Sequence, residues 1–307
     1  MTRIAVLLPC YNEGVAIAAV VHDFRKNLPG AAIYVYDNNS QDNTIAEAKK
    51  AGAIVREEPL QGKGHVVRRM FSDVEADVYV MADGDGTYNA ADADLMITLL
   101  KTKQLDMVIG ARVAKEQGAY RFGHALGNRL FNGVVACLFG DRFQDIFSGF
   151  RVFSRRFVKS FPALSHGFDI ETELSVHSLE LNLPVHEVPS VYGERPAGST
   201  SKLRTVVDGI RILKRIFFLL MHVKPLLLFG TVACAAVVAA LVLGYPLVSE
   251  FITTGLVPRL PTAILATGLM ILGFLSLTCG LILNSVSYGR REAKRLAYLM
   301  IPALHPD

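Results

Sequence analysis

Two carboxylates, Asp83 and Asp85, stand one residue apart in Tyr79-Val-Met-Ala-Asp-Gly-Asp-Gly-Thr-Tyr88, directly after the apolar run Val78–Ala82, which reads as a buried strand. Hard oxygen donors at a strand end suit Mg²⁺ or Mn²⁺, and an ion held there is suited to a substrate diphosphate. Gly84 and Gly86 allow a sharp turn and the close approach of a ligand. Asp-Gly is also the commonest turn dipeptide, so the fragment alone reads equally well as a surface turn. It does not read as an EF-hand, because the sixth loop position is Tyr88 instead of Gly and a strand precedes the loop instead of a helix.

The elements around this pair alternate. Strands are expected at Ile4–Leu8, Ile33–Tyr36, Ile54–Arg56, Val78–Ala82 and Met107–Ile109. Helices are expected at Val15–Leu28, Thr44–Ala51, Gly64–Val74 and Asp92–Lys101. The pattern implies an α/β fold with a mainly parallel sheet covered on both faces, in which ligands sit at the carboxyl ends of the strands. Polar residues gather at those ends: Pro9-Cys-Tyr-Asn-Glu13, Asp37-Asn-Asn-Ser-Gln-Asp-Asn43, Asp83-Gly-Asp85 and Gly110-Ala-Arg112. No Gly-x-Gly-x-x-Gly follows the first strand, and there is no Walker A motif, zinc-type His/Cys spacing or Gly-x-Ser-x-Gly elbow.

The 307-residue chain is 51% hydrophobic, and the excess lies at its C-terminal end. Pro225–Ser249 and Leu260–Tyr288 carry no charged residue, and each is long enough to cross a bilayer as a tilted helix. Two buried core helices are the alternative. The four cysteines (Cys10, Cys137, Cys234 and Cys279) show no pairing or metal spacing, which fits a reducing compartment. Ile4–Leu8 is too short for a signal peptide. Of the net +4 charge, Lys202, Arg204, Arg211, Lys214, Arg215 and Lys224 precede the first span, and Arg290, Arg291, Lys294 and Arg295 follow the second. The positive-inside rule puts both termini in the cytoplasm. Basic charge that borders apolar spans, with no interleaved aromatics, does not point to nucleic acid. Residues 202–224 alternate basic and apolar positions at helical spacing, as in a helix lying in the bilayer interface or a linker helix continuous with the first span.

Taken together, Pro9-Cys-Tyr-Asn-Glu13, Asp37-Asn-Asn-Ser-Gln-Asp-Asn-Thr44, Gly62-Lys-Gly64 and Asp83-Gly-Asp85 resemble a GT-A glycosyltransferase of family 2. Asp145-Ile-Phe-Ser-Gly-Phe-Arg151, Glu187-Val-Pro189 and Arg195-Pro-Ala-Gly-Ser-Thr-Ser-Lys202, followed by two spans, are similar to the polyprenyl-phosphate branch, the dolichol-phosphate mannose synthase-like enzymes. The resemblance covers nearly the whole chain. It implies a GT-A (Rossmann-like) catalytic domain over residues 1–201, an amphipathic juxtamembrane helix over 202–224, spans near 225–249 and 261–288, and a basic cytosolic tail over 290–307.

By this resemblance Pro9, Tyr11, Asn12, Glu13, Asp37, Asn39, Lys63, Asp83 and Gly84 surround the nucleotide-sugar, and Asp83 and Asp85 hold Mg²⁺ or Mn²⁺. Singly, the Asp37 loop also reads as a helix cap, and Lys63 as a solvated side chain. Gly86-Thr87 stand where one common branch pattern has Leu and Gln, which leaves the sugar open. Arg112, Arg121, Arg129, Arg151 and Ser201 are the implied contacts to the acceptor phosphate, and Asp145, Arg195 and Lys202 the catalytic set. Asp145 is alternatively a structural partner of Arg151. Glu171 and Glu173 read as partners for nearby cations.

The implied activity is inverting transfer of one hexose, with UDP-hexose favoured over GDP-mannose, to polyprenyl phosphate at the cytoplasmic face of the inner membrane, by a homo-oligomer. A non-catalytic scaffold keeping the nucleotide-sugar fold is the rival from another class. A polysaccharide synthase is the nearest enzymatic rival, but it is expected to carry Gln-x-x-Arg-Trp, and the chain has no tryptophan.

Overall fold

The computed structural model describes residues 2–114, 133, 143, 145–164, 170–193, 217, 220, 221 and 223–303. They form two compact units: residues 1–208 together with 293–307, and residues 209–292.

The first unit is built on a seven-stranded sheet. Its strands are β1 (Ile4–Cys10), β2 (Ala32–Asp37), β3 (Ile54–Glu57), β4 (Val78–Met81), β5 (Met107–Ala114), β6 (Arg151–Ser154) and β7 (Val185–Tyr192), in the order β3-β2-β1-β4-β6-β5-β7. All neighbours are parallel except β6, which runs antiparallel to both β4 and β5. Helices α1 (Ile17–Asn27), α2 (Thr44–Lys50), α3 (Lys63–Asp73) and α4 (Asp92–Thr102) connect the first five strands; α5 (Arg155–Ser160) and α6 (Ile170–Glu180) precede β7. The mixed, mainly parallel α/β sheet expected from the alternating pattern is present.

Central strands covered on both sides must be apolar throughout, and β4 and β6 are buried at every position. Helix α1 turns Ile17, Val20, Val21 and Phe24 inward, and α4 turns Ala93, Met96, Ile97 and Leu100 inward. This i, i+3, i+4, i+7 spacing gives a single apolar stripe against the sheet. Burying a side chain such as Phe24 contributes roughly 1.5–3 kcal/mol. Strand β5 runs to Ala114, beyond the expected end at Ile109, so Arg112 lies within the strand, in register with Ser190 of β7.

The second unit consists of α7 (Pro225–Thr254) and most of α8 (Leu260–Leu299). Both are long and apolar enough to cross a membrane. Large apolar side chains including Leu241, Val242, Ile252 and Phe274 are exposed along them, while Ser276 Oγ donates to the Phe229 carbonyl at 2.9 Å between the two helices.

The last turns of α8 belong to the first unit. There Lys294 Nζ pairs with Glu180 at 2.8 Å, Arg295 donates to the Leu181 carbonyl at 2.5 Å, and the Tyr298 hydroxyl donates to Asp106 at 2.8 Å. Arg156 pairs with the same Asp106 and lies 4.8 Å from the centroid of the Tyr298 ring. Only Phe217, Leu220, Met221, Val223 and Lys224 of the 202–224 stretch lie within the described residues.

Candidate active site

At the carboxyl ends of β1 and β2, two loops are bonded to one another. Asn12, in the left-handed region at φ 56°, donates its backbone N–H to Ser40 Oγ at 2.8 Å, and its side-chain carbonyl accepts from Gln41 N at 2.8 Å. Glu13 N donates to Thr44 Oγ1 at 2.9 Å. Asn39 spends its amide on the Pro59 carbonyl at 2.9 Å and on Gln61. These polar side chains therefore shape the loops, whatever else they contact. Pro9 and Tyr11 are half-buried at the end of β1. Asp37 closes β2: one carboxylate oxygen accepts from Ser40 N at 2.9 Å, and the other, Oδ1, is buried with no hydrogen-bond partner. A buried acceptor in that condition is costly unless a ligand N–H or hydroxyl supplies the missing bond.

Asn38, absent from the candidate list, organises the neighbouring loop. Its amide donates to the Glu58 and Leu60 carbonyls at 2.9 and 2.8 Å, and its oxygen accepts from Gly62 N at 2.7 Å. That fixes the start of α3, whose first residue is Lys63.

Lys63 is almost enclosed, its side chain 10% exposed, and its ammonium bridges Asp83 Oδ1 and Glu171 Oε1. Burial alone works against the charge, but the two carboxylates outweigh it and raise the Lys63 pKa above its ordinary value. The solvated reading of Lys63 is thereby replaced. Glu171 is the cation partner the sequence implies, contributed by the buried face of α6 with Leu174, Ser175 and Ser178. Asp85 is buried and accepts from Thr87 N and Oγ1, at 3.1 and 2.6 Å.

Two glycines are fixed here by close approach. A Cβ on Gly84 would come 2.4 Å from Cys10 Sγ, and one on Gly149 would come 2.6 Å from Asp83 Oδ2. A side chain at Gly149 would displace the Asp83 carboxylate, and one at Gly84 would collide with Cys10 at the end of β1. Among the described residues no three His, Cys, Asp or Glu side chains cluster as a metal site. Asp83 and Asp85 bring the hard carboxylate oxygens that Mg²⁺ and related ions take, such ions commonly drawing further oxygens from phosphate and water.

The second charged pair joins Arg112 of β5 to Asp145. Arg112 grips Asp145 with Nε to Oδ2 at 2.7 Å and a terminal nitrogen to Oδ1 at 2.8 Å, and its backbone N–H adds a third bond at 3.1 Å. Burial pushes the Asp145 carboxyl up, but the hydrogen bonds and charge of Arg112 prevail and hold it below its ordinary value. Glu187 accepts from Asp145 N at 3.1 Å, and the Arg112 guanidinium lies 5.6 Å from the centroid of the Tyr192 ring. Tyr88 lies near both pairs: its hydroxyl accepts from Gly149 N at 2.9 Å and feels the charges of Asp83, Arg112 and Lys63.

Arg151 requires a correction. It was expected at the acceptor phosphate or paired with Asp145, yet it is fully buried and makes neither contact. Its donors go to the Ser148 carbonyl at 2.8 Å, Ser175 Oγ at 2.9 Å and the Ile146 carbonyl at 2.5 Å. Burial lowers its pKa to about 10. Arg151 thus clamps the turn after Asp145 from inside the fold, where an acceptor phosphate has no access. Arg121, Arg129, Arg195, Ser201 and Lys202 lie outside the described residues.

Residues 5–161, just over half of the chain, match glycosyl transferase family 2. The chain belongs to that family. It is an enzyme, a glycosyltransferase. It is 33% identical over 299 residues to glycosyltransferase AglJ of Haloferax volcanii, spanning 96% of this chain and 98% of the relative. It is 30% identical over 213 residues to the dolichyl-phosphate hexose transferase of the same organism, spanning 69% and 92%. The fold is shared with glucosyl-3-phosphoglycerate synthase from Mycobacterium tuberculosis, solved with Mn²⁺, UDP-glucose and phosphoglyceric acid. The TM-score is 0.56 at 20% identity, over 72% of this chain and 79% of that one. The GT-A-like architecture and the family read from the motifs are therefore those of the chain.

Proposed function

We propose that the protein transfers a single hexose from a nucleotide-sugar, most simply a UDP-hexose, to polyprenyl phosphate at the cytoplasmic face of a membrane, with inversion at the sugar. The observation that carries this reading is the placement of Tyr88 within reach of the charges of both pairs. Asp83 abuts Gly149, whose N–H donates to the Tyr88 hydroxyl, and that hydroxyl feels the charges of Asp83, Arg112 and Lys63. One pair is suited to a metal diphosphate and the other to a second anion. The relative named for dolichyl-phosphate hexose transfer supports the acceptor class, and the neighbour bound to Mn²⁺ and UDP-glucose supports the donor class.

In this reading Asp83 and Asp85 hold Mg²⁺ or Mn²⁺. A bound divalent ion neutralises a departing diphosphate. Lys63 supplies a further positive charge beside Asp83, and Glu171 keeps that ammonium in place. Asp37 Oδ1 offers its unused acceptor to the base or ribose. A phosphate monoester, with a second pKa near 6, is already an anionic nucleophile at neutral pH, so no strong general base is required. Arg112 and Asp145 then serve to orient it, with Asp145 kept ionised by its partner. Helices α7 and α8 span the membrane, with the catalytic unit and both termini in the cytoplasm. The enzyme acts as a homo-oligomer.

The test is transfer by the purified full-length protein in detergent to polyprenyl phosphate, from a panel of labelled UDP- and GDP-sugars, with Mn²⁺, Mg²⁺ or EDTA. One donor giving an EDTA-sensitive lipid product is the expected result. Transfer only to water-soluble acceptors would overturn the lipid assignment, and transfer unchanged in EDTA would overturn the metal.

A further inference from the structure

Tyr88 follows the Asp83-Gly-Asp85 turn closely and is held from several directions. Its ring packs against Phe150 and Tyr192, with centroids 5.4 and 5.3 Å away. Its backbone bridges to Tyr192, and Gly193 N donates to the preceding carbonyl, that of Thr87, at 2.8 Å. These contacts leave the half-buried ring little freedom, so the position of its hydroxyl is set before a ligand arrives. The hydroxyl accepts from Gly149 N at 2.9 Å, but among the described residues no acceptor receives its own proton.

Burial and the charge of Asp83 raise the pKa of this phenol, so at neutral pH it is a donor and not a phenolate. The N–H given to its oxygen polarises the O–H and strengthens the bond that the O–H can give in turn. The charges that reach it are those of Asp83 and Lys63 in the first pair and Arg112 in the second. In the proposed reaction the first pair meets the diphosphate of the donor and the second meets the acceptor phosphate. The group within reach of both is the sugar being transferred. A neutral donor suits a neutral sugar hydroxyl, whereas the phosphates are served by the cations.

We propose that the Tyr88 hydroxyl donates a hydrogen bond to a hydroxyl of the bound hexose and so takes part in choosing the sugar. The inference rests on the proposed nucleotide-sugar reading and deepens it. A site that hydrogen-bonds a substrate hydroxyl rejects a sugar lacking it, because the polar group of the site is then left unpaired.

The experiment is calorimetric titration, with Mn²⁺ present, of the full-length protein and its Tyr88→Phe variant in detergent. The ligands are UDP, the tightest-binding of a panel of UDP-hexoses, and the singly deoxygenated analogues of that hexose donor. Tyr88→Phe should bind UDP as the parent does and the UDP-hexose about five- to tenfold more weakly, the usual consequence of losing one neutral hydrogen bond. One deoxy analogue should bind parent and variant alike, a pattern that a purely structural role for the phenol would not produce. Tyr88→Met supplies a second variant should Tyr88→Phe lose UDP binding. Equal UDP-hexose affinity of parent and variant, or a loss of the same size for every analogue, would overturn the contact. So would undiminished affinity of the parent for every deoxy analogue, a reading that needs no variant. The sugar-transfer assay keeps this failure apart from that of the proposed function: lipid product with UDP-hexose binding unchanged in Tyr88→Phe rejects only the contact, and the expected binding pattern without lipid product rejects only the acceptor.

Discussion

The two charged pairs near Tyr88 are built differently. Around Asp83 the Lys63 ammonium is shared between two carboxylates, Asp83 and Glu171, and a further carboxylate, Asp85, follows two residues on. Around Asp145 the Arg112 guanidinium meets the carboxylate in a two-pronged bond, with Glu187 accepting from the backbone N–H of Asp145. Neighbouring carboxylates suit a divalent cation. A two-pronged guanidinium–carboxylate pair suits the orientation of another group. In the proposed reaction the first pair handles the donor and the second the acceptor.

Substitutions should separate the two. The largest effect is expected from Asp83→Asn, which removes a ligand to the ion together with the main partner of Lys63. Metal-dependent turnover should fall by about 10³-fold or more, as read by initial rates over a Mn²⁺ series. Asp145→Asn should lower turnover by about 10²-fold while leaving the donor KM near its original value, because only the acceptor side is disturbed. Should its donor KM rise as steeply as that of Asp83→Asn, the division between the pairs is wrong.

Arg151→Met sharpens the comparison from outside the site. Losing a buried clamp on two carbonyls and Ser175 should cost about 3 kcal/mol, seen as a lower denaturation midpoint in detergent. A large loss of acceptor affinity at unchanged stability would instead return Arg151 to the phosphate.

The smallest effect concerns pH. The Asp145 carboxyl is held below its ordinary value in the folded protein. The stability it contributes is therefore present above the unfolded value of about 3.9 and is lost as pH falls through the lower folded value. Asp145→Asn should flatten the acid limb of stability below about pH 4, measured by denaturation midpoints at successive pH values. An unchanged acid limb would mean that the Arg112 pair does not hold this carboxylate down.

How much of this was legible depends on where each residue sits. The ends of β1, β2 and β4 declared themselves because an apolar run stops abruptly at Pro9, Asp37 and Asp83, and turn-forming polar residues follow. Asp83, Asp85 and Lys63 were within reach for that reason. The β6 side was harder. Nothing in a short apolar run reveals that it enters the sheet antiparallel between β4 and β5. The partners Glu171 and Glu187 come from elements far along the chain, and their pairing is a property of the assembled sheet. Arg151 did carry a signal: it stands in Gly-Phe-Arg-Val-Phe, a charged residue flanked by bulky apolar ones, which points inward more than toward solvent. Asn38 was hidden by its neighbours, since an Asp-Asn-Asn-Ser run does not show which amide turns into the fold.

The division of labour between the pairs is tested most directly by calorimetric titration of UDP with Mn²⁺ into the purified protein and its Asp83→Asn and Asp145→Asn variants. The account predicts that Asp83→Asn abolishes the Mn²⁺-dependent part of UDP binding and that Asp145→Asn binds as the parent does. Equal weakening by both substitutions, or unaltered Mn²⁺-dependent binding by Asp83→Asn, would contradict it.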